Sequence, residues 1–247
     1  MDNSYKSERQ ERLEIVQFFF KYIALTKKTS LYKNHLDLNA KMVDFHGWSM
    51  PINYGSQINE HISVREGCGM FDVSHMTILD FKGEDVEVFI RKLIANDIYK
   101  LTEDFEGLYS AMLNDQGGVI DDLIAYKMDF GYRLVVNCAT RGEDLRWISQ
   151  NSKDFKVKMQ ERDDLSMIAI QGPKSAEVLS QCPAPIFKAL ELKNRQQGVY
   201  GNDMFAAKTG YTGELGIEVL LPHEKAINLW QSAIEVGANP VGLAARD

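Results

Sequence analysis

Apolar positions along this chain repeat with two different periods. Val86, Phe89, Ile90, Leu93 and Ile94 share one face of a 3.6-residue repeat and predict a helix from about Asp85 to Ala95. Ala226, Ile227, Leu229, Trp230, Ala233 and Ile234 do the same further on. Pro222 opens that helix and Gly237 closes it. Shorter apolar runs predict strands at Thr77 to Phe81, Tyr132 to Asn137, Met167 to Gln171 and Leu215 to Leu221. Tyr109 to Leu113 and Val119 to Met128 predict a hairpin around the turn Asn114 to Gly118. Glu143 to Gln150 reads as a helix, and Gly172-Pro173 opens another, because proline is tolerated in a first turn. Met42 to Pro51 reads as an aromatic loop. Helices interspersed with hairpins predict an α+β fold with mainly antiparallel sheets and packed helices.

Residues 1 to about 29 stand apart as an N-terminal extension. They begin polar and become apolar from Leu13 to Leu25, with Leu13, Val16, Phe20 and Ile23 on one helical face. Phe18, Phe19 and Tyr22 fall off that stripe and need another partner.

Composition narrows the function classes. The chain has 247 residues, 45% hydrophobic and 26% charged, an ordinary globular balance that fits one large domain or two modest ones. A net charge of -7 argues against a broad nucleic-acid surface, which needs lysine and arginine on phosphates. It leaves room for a local basic pocket holding one small anion. Three distant cysteines and five scattered histidines predict neither a disulfide framework nor a metal site. The apolar stretch Ile15 to Leu25 contains Gln17 and Lys21 and is too short to span a membrane. Glu8, Glu11 and Glu14 upstream fit neither a secretory nor an organelle leader. The expected location is cytoplasmic, with the mitochondrial matrix as the eukaryotic alternative.

Phosphate loops, dinucleotide fingerprints, nucleophile elbows and zinc-protease motifs are absent from the sequence. Carboxylates, an arginine and glycine turns remain. Gly210-Tyr211-Thr212-Gly213-Glu214 places a carboxylate on a turn that lets a flat ligand approach the backbone, or is a tight turn with a solvated acid. Asp97, in an apolar frame, is either a turn residue or a pocket carboxylate whose desolvation tunes it toward a developing cation. Asp121 and Asp122 are strand neighbours facing opposite sides, so they do not form a close acid/base pair. Asn114 suits a heterocycle edge or a turn. Arg246 can grip a carboxylate with two hydrogen bonds, or pair with Asp247.

Together these stretches resemble the aminomethyltransferase family, the T protein of the glycine cleavage system. The resemblance rests on Lys41 to Trp48, Gly69 to Met76, Ala95-Asn96-Asp97, Met112 to Ile124, Gly210 to Glu214 and Gly242 to Asp247, in the family's order. It covers the chain from about Thr29 to its end. It implies the folate-binding aminomethyltransferase fold over residues 30–247, as two interleaved subdomains. Family members continue past the last motif into a C-terminal β-barrel-like domain that these residues lack, so the expectation is a pocket open on one side. The implied co-substrate is tetrahydrofolate, with no metal, and the implied partner is the lipoylated H protein, with neither nucleic acid nor membrane. In the implied reaction the folate N5 takes the methylene of an aminomethyl group from the lipoyl arm. Ammonia leaves and 5,10-methylenetetrahydrofolate forms. By the same resemblance Asp97 is the catalytic carboxylate. Glu214, Arg246, Asn114, Met76 and Tyr211 are folate-pocket residues. The alternative reading is a remnant that binds folate or the H protein without turnover.

Overall fold

The computed structural model describes residues 26–182, 186–193 and 196–245. The apolar stripe at Leu13 to Ile23 lies outside them. Strand β1 (Lys27–Lys28) leads into helix α1 (Tyr32–Asp37) and the hairpin β2 (Lys41–Phe45) and β3 (Trp48–Asn53). Helix α2 (Gln57–Glu66) precedes β4 (Gly69–Asp72), β5 (Thr77–Lys82) and helix α3 (Val86–Leu93). A meander follows: β6 (Gly107–Leu113), β7 (Val119–Met128) and β8 (Gly131–Val136), then helix α4 (Arg141–Asn151). Next come β9 (Lys158–Glu161), β10 (Leu165–Gln171) and the short helices α5 (Ser175–Leu179) and α6 (Lys188–Glu191). The chain returns through β11 (Gly198–Gly201), β12 (Met204–Ala207), β13 (Gly216–Pro222), helix α7 (His223–Glu235) and β14 (Asn239–Pro240).

These strands form three sheets, ordered β1-β3-β2, β11-β12-β13-β10-β4-β14 and β6-β7-β8-β5-β9. Among the described residues only the short β1 and β14 pair in parallel; the other pairs are antiparallel. The fold is therefore α+β with mainly antiparallel sheets. Two local readings change, and one helix was not foreseen. Met42 to Pro51 is a hairpin rather than a loop: His46 and Gly47 take φ of 51° and 83°, the positive values that a two-residue hairpin turn requires. Helix α2 has no continuous apolar stripe, because it buries Glu60 and Val64 while Ile58 and Ile62 face outward. Pro173 lies ahead of helix α5 rather than in its first turn.

Strand β10 is buried along its whole length and paired on both sides. Its alternate residues feed two cores, as the two-residue period of a strand demands. Ile168 and Ile170 join Leu229, Trp230 and Ala233 of helix α7. Leu165, Met167 and Ala169 meet Tyr126, Val135 and Phe205 between the two larger sheets. A third core packs Phe89, Ile90 and Leu93 of helix α3 on Leu79, Phe81 and Leu134. Each large side chain buried in this way contributes about 1.5–3 kcal/mol. Cys68 and Cys182 are buried in the first core, and burial pushes the Cys68 thiol up to about 12. No helix among the described residues is long and apolar enough to cross a membrane.

Buried polar groups tie the first described residues to this frame. Asp72 accepts hydrogen bonds from Thr29 Oγ1 at 2.6 Å and from the Ser74 N–H at 2.9 Å, and it meets His35 Nε2 at 2.8 Å. Burial alone would raise its pKa; the hydrogen bonds and the His35 charge outweigh it and hold the carboxyl below its usual range. Glu60 accepts from the backbone N–H of Tyr54 and of Gly242, each at 2.8 Å, and so anchors the end of the described chain.

Asp144 is the exception. It is fully buried in the first turn of helix α4, and neither carboxyl oxygen makes a hydrogen bond of good geometry, although the side chains of Thr140 and Asp121 act on it. Burial, then the charge of Asp121, push it up to about 7. An unfolded Asp titrates near ~3.9. The folded state thus holds a proton that the unfolded chain releases, so stability falls as pH rises from about 4 to about 7 and then levels. Asp144→Asn removes the charge and keeps the shape. It is expected to stabilise the protein by about 2–4 kcal/mol at pH 8 and by little at pH 4, read from thermal melts. An equal gain at both pH values would show that ionisation of Asp144 is not the cause.

Candidate functional site

A cavity of about 280 Å³ is lined from both larger sheets. Leu123, Ile124, Val135 and Met167 give it an apolar lining. Its polar groups include Asp122, Asn137 and Tyr109 from the five-stranded sheet side and Glu218 from the six-stranded one, with Tyr211, Thr209 and Gln196 beside them. No lysine or arginine lines it among the described residues. Such a cavity suits a flat, partly apolar ligand rich in hydrogen-bond donors.

The Gly210-to-Glu214 turn forms part of this wall, and its shape is set by Gln171 at the end of β10. Gln171 Nε2 donates to the carbonyls of Thr209 at 3.0 Å and Ile217 at 3.2 Å, and Thr212 Oγ1 donates to Gln171 Oε1 at 3.0 Å. A Cβ on Gly210 would stand 1.9 Å from Gln171 Oε1, and one on Gly216 would stand 2.3 Å from the Ile170 carbonyl. Gly213 has φ of 82° and turns the chain. These glycines make room for a buried amide and a tight bend.

The structure brings Met76 and Tyr211 together at this cavity. Glu214 is elsewhere. It pairs with Arg65 at 2.7 Å, and Arg65 also donates to the Thr212 carbonyl at 2.9 Å. Asn114 closes its own turn, its Oδ1 accepting from the N–H of Gln116 at 3.0 Å and of Gly118 at 2.8 Å. It borders a separate cavity of about 220 Å³ with Trp147 and Asn151. Asp97 is exposed and caps the turn Ile98–Lys100. The Tyr99 N–H first, then Arg91 at 3.1 Å, hold its carboxyl below the usual range. Its neighbour Asn96 donates to the carbonyl of Tyr109 at 3.2 Å, so Asp97 stands one residue from the cavity's rim strand. Arg246 lies outside the described residues.

Two other carboxylates take the central place: Asp122, read from the sequence only as the strand neighbour of Asp121, and Glu218, which the sequence reading did not single out. Glu218 is the only acid in the strand Gly216–Pro222, and this lone charge in an apolar run was the available signal. Asp122 accepts from Tyr109 OH at 2.9 Å and Asn137 Nδ2 at 3.2 Å. Its neighbour Asp121 turns inward, as strand alternation requires, and is held by Asn137 through the backbone N–H and Nδ2, both at 2.9 Å.

A second cavity, about 360 Å³, shares Met76 and is lined by Lys27, Lys28, Arg141 and Arg162. Arg141 is engaged by Glu161, and Arg162 by Asp164 and Asp80. Its arginines already serve as structural ion pairs, so the smaller cavity is the stronger ligand site.

A family model described as the GCVT N-terminal domain matches residues 31–247. Among solved structures, the glycine cleavage system aminomethyltransferase T from Bartonella henselae is 30% identical with a TM-score of 0.80. The match covers 90% of this chain and 61% of that one, so the chain spans less than two thirds of that protein's length. The heterotetrameric sarcosine oxidase from Corynebacterium sp. U-96, in complex with pyrrole 2-carboxylate, is 12% identical with a TM-score of 0.50. That match covers 75% of this chain and 94% of that one, and it is a likeness of fold alone.

Because Gln171 is buried and held by three hydrogen bonds, it cannot swing away from a larger residue at position 210. Gly210→Ala is expected to cost about 1–3 kcal/mol in denaturant unfolding. Gln171→Ala removes the clash, so the double variant should lose less than the sum of the two single losses. Strict additivity would show that the clash is not with Gln171.

Proposed function

This chain belongs to the GCVT N-terminal domain family, and we propose that it binds tetrahydrofolate in the cavity between its larger sheets and serves aminomethyl transfer in glycine cleavage. The observation that carries this reading is the cavity itself: an apolar lining, an aromatic ring at Tyr211, a carboxylate from each sheet, and no cation among its described lining residues. A pterin ring is flat and bears several N–H donors on one edge. Glu218 is the proposed acceptor for those donors, a charge-assisted pairing stronger than a neutral one. Met76 and Met167 pack on the ring, and polarizable thioethers adapt to such a surface.

Bound tetrahydrofolate supplies the N5 nucleophile that takes the methylene from the lipoyl arm of the H protein, with release of ammonia. The chain's contribution is orientation and electrostatics. Asp97 is the proposed carboxylate that favours positive charge near the transferred carbon. It stands on an exposed loop next to the cavity's rim strand, where an arriving carrier protein would cover it and strengthen its field. Glu214 serves the pocket through the turn it holds, and Asn114, at a neighbouring cavity, closes the hairpin whose strands carry Tyr109 and Asp122. Arg246 is retained for the glutamate carboxylates of the folate tail. The proposed setting is cytoplasmic or matrix one-carbon metabolism.

The second reading is binding without turnover, and the position of Asp97 outside the cavity favours it. Both readings meet the same experiment. Tetrahydrofolate should raise the melting temperature by mass action. Glu218→Gln should weaken binding about tenfold to a hundredfold, the worth of one hydrogen bond to a charge. Asp97→Asn should keep the folate affinity and lose most folate-dependent ammonia release from aminomethyl-loaded H protein. Absence of any thermal shift would sink the folate reading. Unchanged turnover in the Asp97 variant would remove its catalytic role. Folate binding by a wild-type chain that releases no ammonia would establish the second reading.

A further inference from the structure

We propose that Asp122 makes this cavity selective for the reduced state of its ring ligand. The inference rests on the folate reading above and adds to it a determinant of redox specificity. Asp122 stands on β7 and Glu218 on β13, so each of the two larger sheets presents one carboxylate to the same cavity. A single carboxylate would suffice to read the amino-pyrimidinone edge of a pterin. The donors on that edge, the 2-amino group and N3–H, are the same in oxidised and reduced rings. A site with only Glu218 would not distinguish them by hydrogen bonding.

The second carboxylate changes this. Asp122 is held in place by two donors. Tyr109 OH reaches Oδ2 at 2.9 Å, and Asn137 Nδ2 reaches Oδ1 at 3.2 Å. Asn137 is itself fixed by Asp121, which accepts from its backbone N–H and its side-chain amide. The hydrogen bond to Asp122 raises the Tyr109 pKa, and a phenol is a donor at neutral pH even without that shift. An ionised carboxylate has about four acceptor sites and no donor. Two of them are taken by Tyr109 and Asn137, leaving the others for a ligand.

In a tetrahydropterin N5 and N8 both carry hydrogens and can donate to such a group. In the fully oxidised ring both are lone-pair acceptors, and a carboxylate facing either would meet acceptor against acceptor. Asp122 is exposed in the open cavity, and a bound ring would cover it; a polar group covered and left opposed in this way rejects the wrong ligand far more strongly than a missing apolar contact does.

The test compares anaerobic binding of tetrahydrofolate and folic acid by the full chain, its Asp122→Asn variant and its Tyr109→Phe variant. The wild type is expected to prefer the reduced ring by tenfold or more. An amide offers a donor as well as an acceptor, so Asp122→Asn should bind folic acid more tightly, tetrahydrofolate more weakly, and bring the ratio close to one. Tyr109→Phe releases Asp122 from one of its two holders and should lower the ratio partway. A general loss of structure would weaken both ligands alike and leave the ratio unchanged, so the ratio reports the specific effect. Binding of both ligands with the wild-type preference kept in Asp122→Asn would overturn this inference and leave the folate reading standing. Binding of neither ligand by the wild type would overturn both.

Discussion

One buried strand, Leu165–Gln171, constrains the rest of the molecule. One antiparallel partner runs along its whole length and a second pairs with Ile168–Gln171, while Val73 and Ser74 take up the backbone of Met167. Its side chains must then alternate between two packed surfaces, and every residue along it is buried. One surface holds Trp230 of the helix His223–Glu235. The other faces Tyr126 and Phe205 between the larger sheets, whose rings meet edge to face at 4.8 Å. A one-residue slip would exchange the two cores and also remove Gln171 from the glycine turn. Fold and cavity wall are therefore fixed by the same register.

Much of this frame was legible in the sequence because the responsible forces are local and periodic. The stripes at Val86 to Ile94 and Ala226 to Ile234 became helices, and the runs around Asn114 to Gly118 became a hairpin, close to the expected bounds. The elements that were missed lack a local signature. Helix Gln57–Glu66 buries a glutamate whose partners are backbone groups of Tyr54 and Gly242, the latter 182 residues away in the chain. The hairpin at Lys41–Asn53 depends on a histidine in a left-handed conformation, which periodicity does not reveal.

The site was legible to a smaller degree, for a physical reason. Sequence shows which residues stand on a turn but not which way a side chain leaves it. Glu214 follows the glycine turn and looks aimed at a ligand; its carboxylate instead meets Arg65 of a helix far away in sequence. Tyr211, three residues earlier on the same turn, reaches the cavity. The glycines at 210 and 216 look like space kept for a ligand, and the space is filled by Gln171. Glu218 and Asp122 belong to strands of ordinary appearance, and only the stacking of two sheets brings their carboxylates to one cavity.

On the proposed function, that stacking also divides binding and chemistry between parts of the chain. Two carboxylates at one cavity repel each other and would lose hydration under a bound ring, so fixed donors around them favour the site. Strands supply these with little motion: Tyr109 and Asn137 hold Asp122 from neighbouring positions of one sheet, as a preorganised ligand site requires. Asp97 has no such enclosure. Its carboxyl sits on a short exposed turn, steadied by Arg91 and the Tyr99 N–H, and is linked to the cavity through Asn96 and the Tyr109 carbonyl. Water weakens its field at that position. On the proposed folate reading, a cavity that holds the ring and a rim carboxylate that gains strength when a second molecule excludes water would suit a transfer between two carriers, the cavity recognising one and the rim becoming effective once the other has docked.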